Sequence, residues 1–346
     1  MSVEDNVQVC AVLRNFRSDT EYLHLEDFWI EKLTEDDKKN LSKDLTYFVN
    51  YPWGDNHIAA RWYYIGRGKS STVLRDNNMM FFIPLFRAMK LFKKGDLIIP
   101  LVFYRWKGKW YETRFHGDSY GIGSWLGKDD DPYILNKDDV EAFNIFRNEI
   151  ESYLKYINFP EMPYRKKHKI LSDIDTRCFL PIYILLKGSM EHHNRFPVID
   201  ALIEYTLALE SLYLHGHEPK RRKLSARISI LLGKDESEEK QLRRDIKKFY
   251  DIRSAVVHGS LMDEKQYSFL CANICDYGDY LRRSILAFLD LNATDKSKKA
   301  ILKRIDDAIS NSGWHALRRY FSSGFRCKTD LRTEIRDSLK MLKLSK

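Results

Sequence analysis

The second half of this chain is best interpreted from the stretch Phe249-Tyr250-Asp251-Ile252-Arg253-Ser254-Ala255-Val256-Val257-His258-Gly259-Ser260. At helical spacing Arg253 falls in line with apolar residues on both sides of it, which are Leu242, Ile246, Phe249, Val256 and Val257. An arginine on a solvated helix face would lie elsewhere. We therefore expect the side chain of Arg253 to lie along the apolar face of a helix.

The helix that carries this arginine is predicted to end at the histidine. Ser237 is a candidate N-cap, and Gly259 suits the C′ position just past the helix. This places His258 in the last turn, where the helix dipole favours the charged imidazolium. A second helix is predicted to start at once, with Ser260 as N-cap and Asp263 three residues later in a capping-box arrangement. The histidine is therefore expected at a junction between two helices.

The spacing of the two polar residues raises a geometric difficulty. On one straight helix the side chains of Arg253 and His258 point about 140° apart, because an α-helix has 3.6 residues per turn. Side chains that diverge in this way do not hold one phosphate together. Either the helix ends or bends between them, or a second chain contributes to the site.

Several blocks of sequence occur in the same order as in a known family. They are Ile199–Ile203, Ala208–Leu212, Ser225–Ile228 leading to Leu231–Gly233, and Tyr250–Ser254. Together with Arg253, four intervening residues and His258, they resemble the Apea-like branch of the HEPN nucleic-acid-processing family, whose motif is Arg, four to six residues, then His. The resemblance covers roughly residues 170–325 and extends more weakly through 91–96 and 133–140.

This resemblance implies a metal-independent endoribonuclease in which Arg253 and His258 are the catalytic residues. It also implies a homodimer through the helical domain, with two Arg–His pairs in one groove, and a role in defence, toxin-like RNA cleavage or RNA processing. Many active relatives carry Asn, Asp or His directly after the arginine, where this chain has Ser254. The alternative is a catalytically inert module that binds RNA or a protein partner. The residues expected to support the site are Ser254, Glu210, Tyr250 and Arg227.

An arginine and a histidine without a metal suit one reaction in particular. Imidazole near its pKa can take or deliver a proton, and guanidinium can hold phosphate oxygens through paired, charge-assisted hydrogen bonds. These groups would cleave RNA by transesterification through its own 2′-hydroxyl. DNA lacks that hydroxyl, so the expected partner is RNA.

Each candidate residue also has a purely structural interpretation. A histidine at a helix end can satisfy carbonyl groups and the dipole, and Glu210 can form an ion pair with Arg227 or Arg253. Cys271 and Cys275 lie one helical turn apart, but a pair within a helix, without a second pair, favours packing over metal binding. We expect no metal and no cofactor.

Length and charge indicate two globular domains of different character. The chain has 346 residues and 44% of them are hydrophobic, which is enough for two ordinary cores. The formal net charge is +9. Residues 1–150 carry 21 Lys and Arg against 23 Asp and Glu, whereas residues 151–346 carry 37 against 26. A basic second half favours a phosphate-backbone partner, although a solvated surface is the ordinary explanation of such charge.

Targeting and membrane signals are not recognised in the sequence. Apolar runs stay well short of about eighteen residues, and the first residues lack the features of a signal peptide. Five scattered cysteines do not make a disulfide framework. We therefore expect a cytoplasmic protein that makes no membrane contact.

The expected fold class is α+β, with a mixed, β-rich N-terminal domain followed by an all-α, HEPN-like helical bundle. The first part is predicted to contain a β-hairpin around Lys107-Gly108-Lys109 and a helix over 34–44 with Thr34 as N-cap. Further strands are predicted over 8–13, 22–25 and 61–65, and further helices over 86–92 and 138–157.

Three segments are predicted along the chain, with a boundary in the Pro-containing, basic stretch 158–169. Residues 1–165 form an α+β domain of unknown role, which could be a sensor, an inhibitor or a docking surface for a protein partner. Residues 166–325 form the helical domain, and 326–346 a basic helical tail. Helices are predicted over 176–193, 197–215, 224–232 and 264–291, the last with a buried stripe of Tyr267, Leu270, Ile274, Tyr277, Leu281, Ile285 and Phe288.

Overall fold

A computed structural model describes residues 6–13, 15–44, 57–64, 82, 84–95, 97, 102–106, 109–112, 132–154, 181–182, 197–233, 235–292 and 297–310. The chain divides into two compact units, and among the described residues the first ends at Arg147 and the second begins at Asn148. The boundary predicted near residue 165, most of the helix predicted over 176–193 and the tail over 326–346 lie outside the described residues.

The first unit is built on an antiparallel sheet of six strands. These are β1 (Asn6–Leu13), β3 (Tyr22–Leu25), β4 (Phe28–Lys32), β5 (His57–Tyr64), β6 (Val102–Trp106) and β7 (Lys109–Glu112). Their order across the sheet is β3-β4-β5-β1-β6-β7. The short strands β2 (Phe16–Arg17) and β8 (Tyr133–Ile134) form a separate parallel pair.

Strand β1 holds the centre of this sheet. It pairs along its full length with β5, from Asn6 opposite Tyr64 to Leu13 opposite His57, and on its other side with β6. Strands β6 and β7 form the predicted hairpin, in which Trp106 lies opposite Lys109. The strands predicted over 8–13, 22–25 and 61–65 are all present, with β1 and β5 each beginning earlier than predicted.

Helices accompany the sheet in this part of the chain. Helix α1 (Glu35–Asp44) begins at the predicted N-cap, because the Thr34 hydroxyl accepts the Asp37 N–H at 3.1 Å. Helices α2 (residues 84–92) and α3 (Val140–Leu154) are joined by an edge-to-face contact between Phe92 and Phe143. The core beneath α1 consists of Cys10, Val12, Leu33, Leu41, Ile58, Phe103 and Trp110.

The described residues of the second unit beyond α3 contain only helices and their connections. The helices are α4 (Pro197–Tyr213), α5 (Lys220–Leu232), α6 (Glu236–Val257), α7 (Glu264–Asn292) and α8 (Lys298–Ser310). The predicted order, a β-rich first part followed by a helical second part, is confirmed. Helix α5 starts four residues before the predicted residue 224, and three basic residues of its first turn form ion pairs with acidic residues on other helices.

Polar contacts between the helices show which of them run in the same direction. The hydroxyls of Thr206 and Tyr277 lie 3.0 Å apart, and the Tyr213 hydroxyl donates to the Ser284 hydroxyl at 2.9 Å, so α4 and α7 run in the same direction. Helices α5 and α6 run in opposite directions. Their pairs are Arg221 with Asp251, and Ser229 with Arg243.

The apolar stripes follow the prediction except at the junction between α6 and α7. Leu242, Ile246 and Phe249 on α6 are buried, whereas Val257 is 49% exposed. On α7 the predicted stripe from Leu270 to Phe288 is buried, but Tyr267 is 49% exposed. Both exceptions lie in the terminal turns of their helices. The helical periodicity on which the prediction is based does not distinguish a terminal turn from an internal one.

Candidate functional site

Helix α6 ends at the predicted glycine through two backbone hydrogen bonds. The Gly259 N–H donates to the Val256 carbonyl at 3.0 Å, and the Ser260 N–H donates to the Ala255 carbonyl at 2.9 Å. This is a Schellman cap, in which the C′ residue adopts a left-handed conformation that glycine tolerates well. Gly259 has φ of 80°. The prediction of Gly259 at C′ is confirmed, and His258 is the C-cap residue.

The predicted N-caps of the two junction helices are both wrong by a few residues. Asp235, rather than Ser237, caps α6 by accepting the Glu238 N–H at 2.8 Å. Asp263, rather than Ser260, caps α7. Its carboxylate accepts the Gln266 N–H at 2.7 Å, and the Gln266 side chain accepts the Asp263 N–H at 3.1 Å. Ser260 cannot start α7 because its own N–H still closes the end of α6.

The side chain of Arg253 is directed at α4. It is 19% exposed, and its Nη1 lies 4.0 Å from Glu210 Oε1. That distance makes an ion pair but exceeds the range of a hydrogen bond. The Nε of Arg253 is buried and has no hydrogen-bond partner. The guanidinium is therefore held in place while part of its donor capacity stays unused.

Glu210 lies between two cations. Its side chain is 11% exposed, and its Oε2 accepts a hydrogen bond from Lys220 Nζ at 3.3 Å. Its other oxygen, Oε1, faces Arg253 and is buried without a hydrogen-bond partner. Of the two predicted partners of Glu210, the structure brings Arg253 to it. It also brings Lys220, which the sequence did not predict.

A buried polar pair and a ring stack support Arg253, Glu210 and Lys220, which we call the Arg253 cluster. Thr206 donates its single hydroxyl proton to the Leu202 carbonyl at 2.7 Å, so the neighbouring Tyr277 hydroxyl is the donor in the pair between them. Tyr277 also stacks on Phe249, with ring centroids 4.1 Å apart. Burial raises the pKa of the Tyr277 phenol well above its usual range, and the Glu210 carboxylate adds to this shift. Tyr277 is therefore a neutral support at all ordinary pH values.

His258 is exposed at the end of α6. Its backbone N–H donates to the Ser254 carbonyl at 3.1 Å, which completes the last turn of the helix. Arg253 points at Glu210 on α4, whereas the imidazole of His258 lies at the surface. The half-buried arginine and the exposed histidine therefore have different surroundings.

The remaining candidate residues lie in two places. Tyr250 and Ser254 are half-buried on α6, on the turns next to Arg253. Arg227 lies on α5 and is almost fully buried at 1% exposure. Its hydrogen bonds are made to Tyr213, Glu218 and Asp306 rather than to the Arg253 cluster.

Arg227 has two carboxylate partners. Its guanidinium makes paired hydrogen bonds to Glu218, at 2.7 and 2.8 Å, and to Asp306, at 2.9 and 2.7 Å, and it also donates to the Tyr213 carbonyl. Burial opposes the charge on Arg227, but hydrogen bonds to Asp306 and Glu218 outweigh this effect and raise the pKa of Arg227. The same bonds lower the pKa values of both carboxyl groups. Arg227 therefore ties α5 to the α4–α5 connection and to α8.

The basic run at the start of α5 is largely paired with acidic residues. Lys220 binds Glu210, Arg221 binds Asp251 through two hydrogen bonds of 2.6 Å each, and Lys223 binds Asp306 at 3.0 Å. The excess positive charge of the second half is therefore partly neutralised here. A phosphate partner would have to compete for these cations.

Apolar side chains are exposed beside His258. Leu261 is 97% exposed, and Val257 and Tyr267 are each 49% exposed. We call these three residues the junction patch. Val257 and Leu261 lie within three residues of His258 in sequence, and exposed apolar side chains are typical of interaction surfaces where they form a contiguous patch.

Among the described residues no three His, Cys, Asp or Glu side chains are grouped as metal ligands. Cys271 and Cys275 are both partly buried on α7. None of the helices in the described ranges has the length and apolar content needed to cross a membrane.

Comparisons with protein-family models, with curated proteins and with solved structures give no match to this chain.

Proposed function

We propose that the helical unit is a metal-independent endoribonuclease of the HEPN type. The observation that carries the proposal is an underpaired arginine, Arg253, one and a half helical turns before a capping histidine, His258. An arginine that faces an ion-pair partner and retains one buried donor, Nε, without an acceptor suits the recognition of a phosphate. An exposed imidazole can transfer a proton, and histidine is the side chain most often found in that role.

The proposed reaction is transesterification within the RNA chain. The 2′-oxygen attacks the adjacent phosphorus and loses its proton, and the bond from phosphorus to the 5′-oxygen breaks. The leaving 5′-oxygen gains a proton, and the other product ends in a 2′,3′-cyclic phosphate. His258 would move one of these protons, and Arg253 would stabilise the charge that develops on the phosphate oxygens.

Three neighbouring residues are proposed to support this pair. Glu210 orients Arg253 from α4. Ser254 supplies the carbonyl that closes the last turn at His258, and Tyr250 flanks the arginine on the same helix. Arg227 would act indirectly, by holding α5 and α8 in place.

The divergence of Arg253 and His258 supports a site built by two chains. In a symmetric dimer the arginine of one protomer can approach the histidine of its partner across the two-fold axis. The junction patch lies beside His258 and offers an apolar surface for such an interface. We propose a homodimer in which the α6–α7 junctions of the two protomers meet.

The biological role proposed on the same resemblance is defence or toxin-like RNA cleavage in the cytoplasm. The first unit would then be a sensor, an inhibitor or a docking surface for a protein partner. A cleavage assay with and without residues 1–165 would show whether this unit restrains or promotes the activity.

A comparison of RNA with DNA tests the proposed reaction. The purified protein is incubated in EDTA with an end-labelled single-stranded RNA and, in parallel, with DNA of the same sequence. We expect the RNA alone to be shortened, to products with a 2′,3′-cyclic phosphate. Cleavage of DNA, or a requirement for added metal, would contradict the proposal.

The second candidate function is a binding module without catalysis. The observation that favours it is the junction patch, since an almost fully exposed Leu261 suits a protein interface with or without an active site. In that case the purified protein would bind RNA or a protein partner but leave the RNA intact in EDTA.

A further inference from the structure

Arg253 and Glu210 face each other with complementary groups that are left unused. The buried Nε of Arg253 has no acceptor, and the buried Oε1 of Glu210 has no donor. Only 4.0 Å separates Arg253 Nη1 from this oxygen. A closer approach would produce a charge-assisted hydrogen bond, which is among the stronger interactions in proteins. The pair is therefore held apart at a distance from which it could close.

Lys220 contacts the same carboxylate from another side. Its Nζ donates to Glu210 Oε2 at 3.3 Å. The lysine lies in the first turn of α5, whose neighbouring residue Arg221 is fixed to Asp251 on α6 by two hydrogen bonds. The position of this turn is thus set independently of Glu210. Because Lys220 and Arg253 both contact the carboxylate, its negative charge is balanced by two cations rather than by the arginine alone.

We propose that Lys220 is a positioning residue that keeps Arg253 available for phosphate by holding the far oxygen of Glu210. This inference rests on the proposed function, because it assigns a regulator to the same phosphate-binding arginine. Without Lys220, Arg253 is the remaining cation on a nearly buried carboxylate. The pair then closes, and an incoming phosphate must first break it.

Binding of an RNA that cannot be cleaved measures this effect. The probe is a fluorescein-labelled single-stranded RNA with 2′-O-methyl groups throughout, which removes the attacking hydroxyl, and affinity is read by fluorescence anisotropy. We expect Lys220→Met to weaken binding about fivefold relative to the unmodified protein. Lys220→Arg keeps the donor and is expected to restore most of the affinity.

A matched control separates positioning from loss of positive charge. Lys240 lies on α6 and pairs with Glu236 at 2.7 Å, so Lys240→Met also removes one lysine and one ion pair. We expect this variant to bind the probe within about twofold of the unmodified protein. If Lys220→Met were no weaker than Lys240→Met, the inference would be overturned.

Glu210→Gln provides the decisive double variant. If Lys220 acts through Glu210, adding Lys220→Met to Glu210→Gln changes the affinity no more than Lys240→Met does. If the full loss persists in the double variant, Lys220 contacts the RNA directly and the positioning role is wrong. If Arg253→Ala binds as tightly as the unmodified protein, the arginine does not bind the phosphate and the proposed function itself fails.

A second measurement does not depend on RNA. Phenylglyoxal modifies accessible arginine side chains, and peptide mapping reports the rate at Arg253 separately from other sites. Closure of the Arg253–Glu210 pair should slow this rate in Lys220→Met and leave it unchanged in Lys240→Met. An equal rate in the unmodified protein and in Lys220→Met would overturn the inference even if RNA binding changed.

Discussion

Two arginines of the helical unit occupy opposite extremes of hydrogen bonding. The side chain of Arg227 is 2% exposed and donates to two carboxylates and one carbonyl. Arg253 is 19% exposed, shares one carboxylate with Lys220 and keeps a buried Nε without a partner. Both have acidic neighbours, but one guanidinium is satisfied and the other is not.

This difference separates a structural role from a role in ligand binding. A buried charge with a complete set of partners stabilises one arrangement of the chain, and it has no donors left for a substrate. A buried donor without a partner represents a free-energy cost that a ligand can remove. Under the proposed function, the comparison therefore favours Arg253, rather than Arg227, as the group that would bind phosphate.

Substitution of Arg227 should have the largest effect on stability. Arg227→Met leaves Glu218 and Asp306 without their shared partner, and we expect the free energy of unfolding to fall by about 3–5 kcal/mol. Arg253→Met breaks only a long ion pair and should lower it by about 1 kcal/mol or less. Urea unfolding followed by circular dichroism compares the two variants. Equal losses would remove the distinction between the two arginines.

Activity should depend on the two arginines in the reverse order, with the larger loss on substitution of Arg253. Arg253→Ala is expected to lower the rate of metal-independent RNA cleavage by at least about two orders of magnitude, the effect of removing a charge-stabilising group. Arg244→Ala on the same helix is the matched control, since Arg244 is exposed and bonds to Gln241. Its rate should stay within about twofold of the unmodified protein. A comparable loss in both variants would indicate a general charge effect.

The junction patch provides a third test, because it concerns the second chain of the proposed site. Leu261→Asp should weaken dimerisation by about tenfold or more, since the burial of one leucine contributes about 1.5–3 kcal/mol. Sedimentation equilibrium measures the dimer population, and specific activity should follow it on dilution. Leu207→Asp on α4 is the control, because Leu207 is also exposed, at 44%. Full activity per chain in a demonstrated monomer would rule out the shared site.

Acid should weaken the ion pairs of Arg227 with Glu218 and Asp306. Hydrogen bonds from Arg227 lower the pKa values of Glu218 and Asp306 in the folded protein. A lowered pKa in the folded state contributes stability that is present above the unfolded pKa and lost as pH falls through the folded pKa. We therefore expect unfolding midpoints in urea to decrease below about pH 4. Arg227→Met should flatten this dependence, and an unchanged slope would contradict the assignment.

Local signals in the sequence predict much of the fold. Alternating and helical spacing locate the central strands, the hairpin between β6 and β7, and the buried stripe from Leu270 to Phe288. Gly259 identifies the end of α6, because only the C′ position needs its backbone conformation. These features depend on neighbours in sequence.

Other features depend on contacts that no local pattern contains. Asp235 and Ser237 are both competent caps, and the choice depends on how closely α6 approaches the end of α5. A Cβ on Gly233 would lie 3.0 Å from the Glu239 Cα. Arg227 finds Asp306, 79 positions away, and Lys220 finds Glu210 across the α4–α5 connection. In the sequence, Lys220 is one of four consecutive basic residues, 220–223. Its position in that run does not distinguish it from the other three.

The most direct test of the account is the cleavage of labelled RNA in EDTA by His258→Ala. His217→Ala is the matched control, because His217 is an exposed histidine in the α4–α5 connection. The account predicts that the unmodified protein and His217→Ala shorten the RNA, whereas His258→Ala leaves it intact at the same protein concentration. Cleavage by both His258→Ala and Arg253→Ala at the unmodified rate would contradict it.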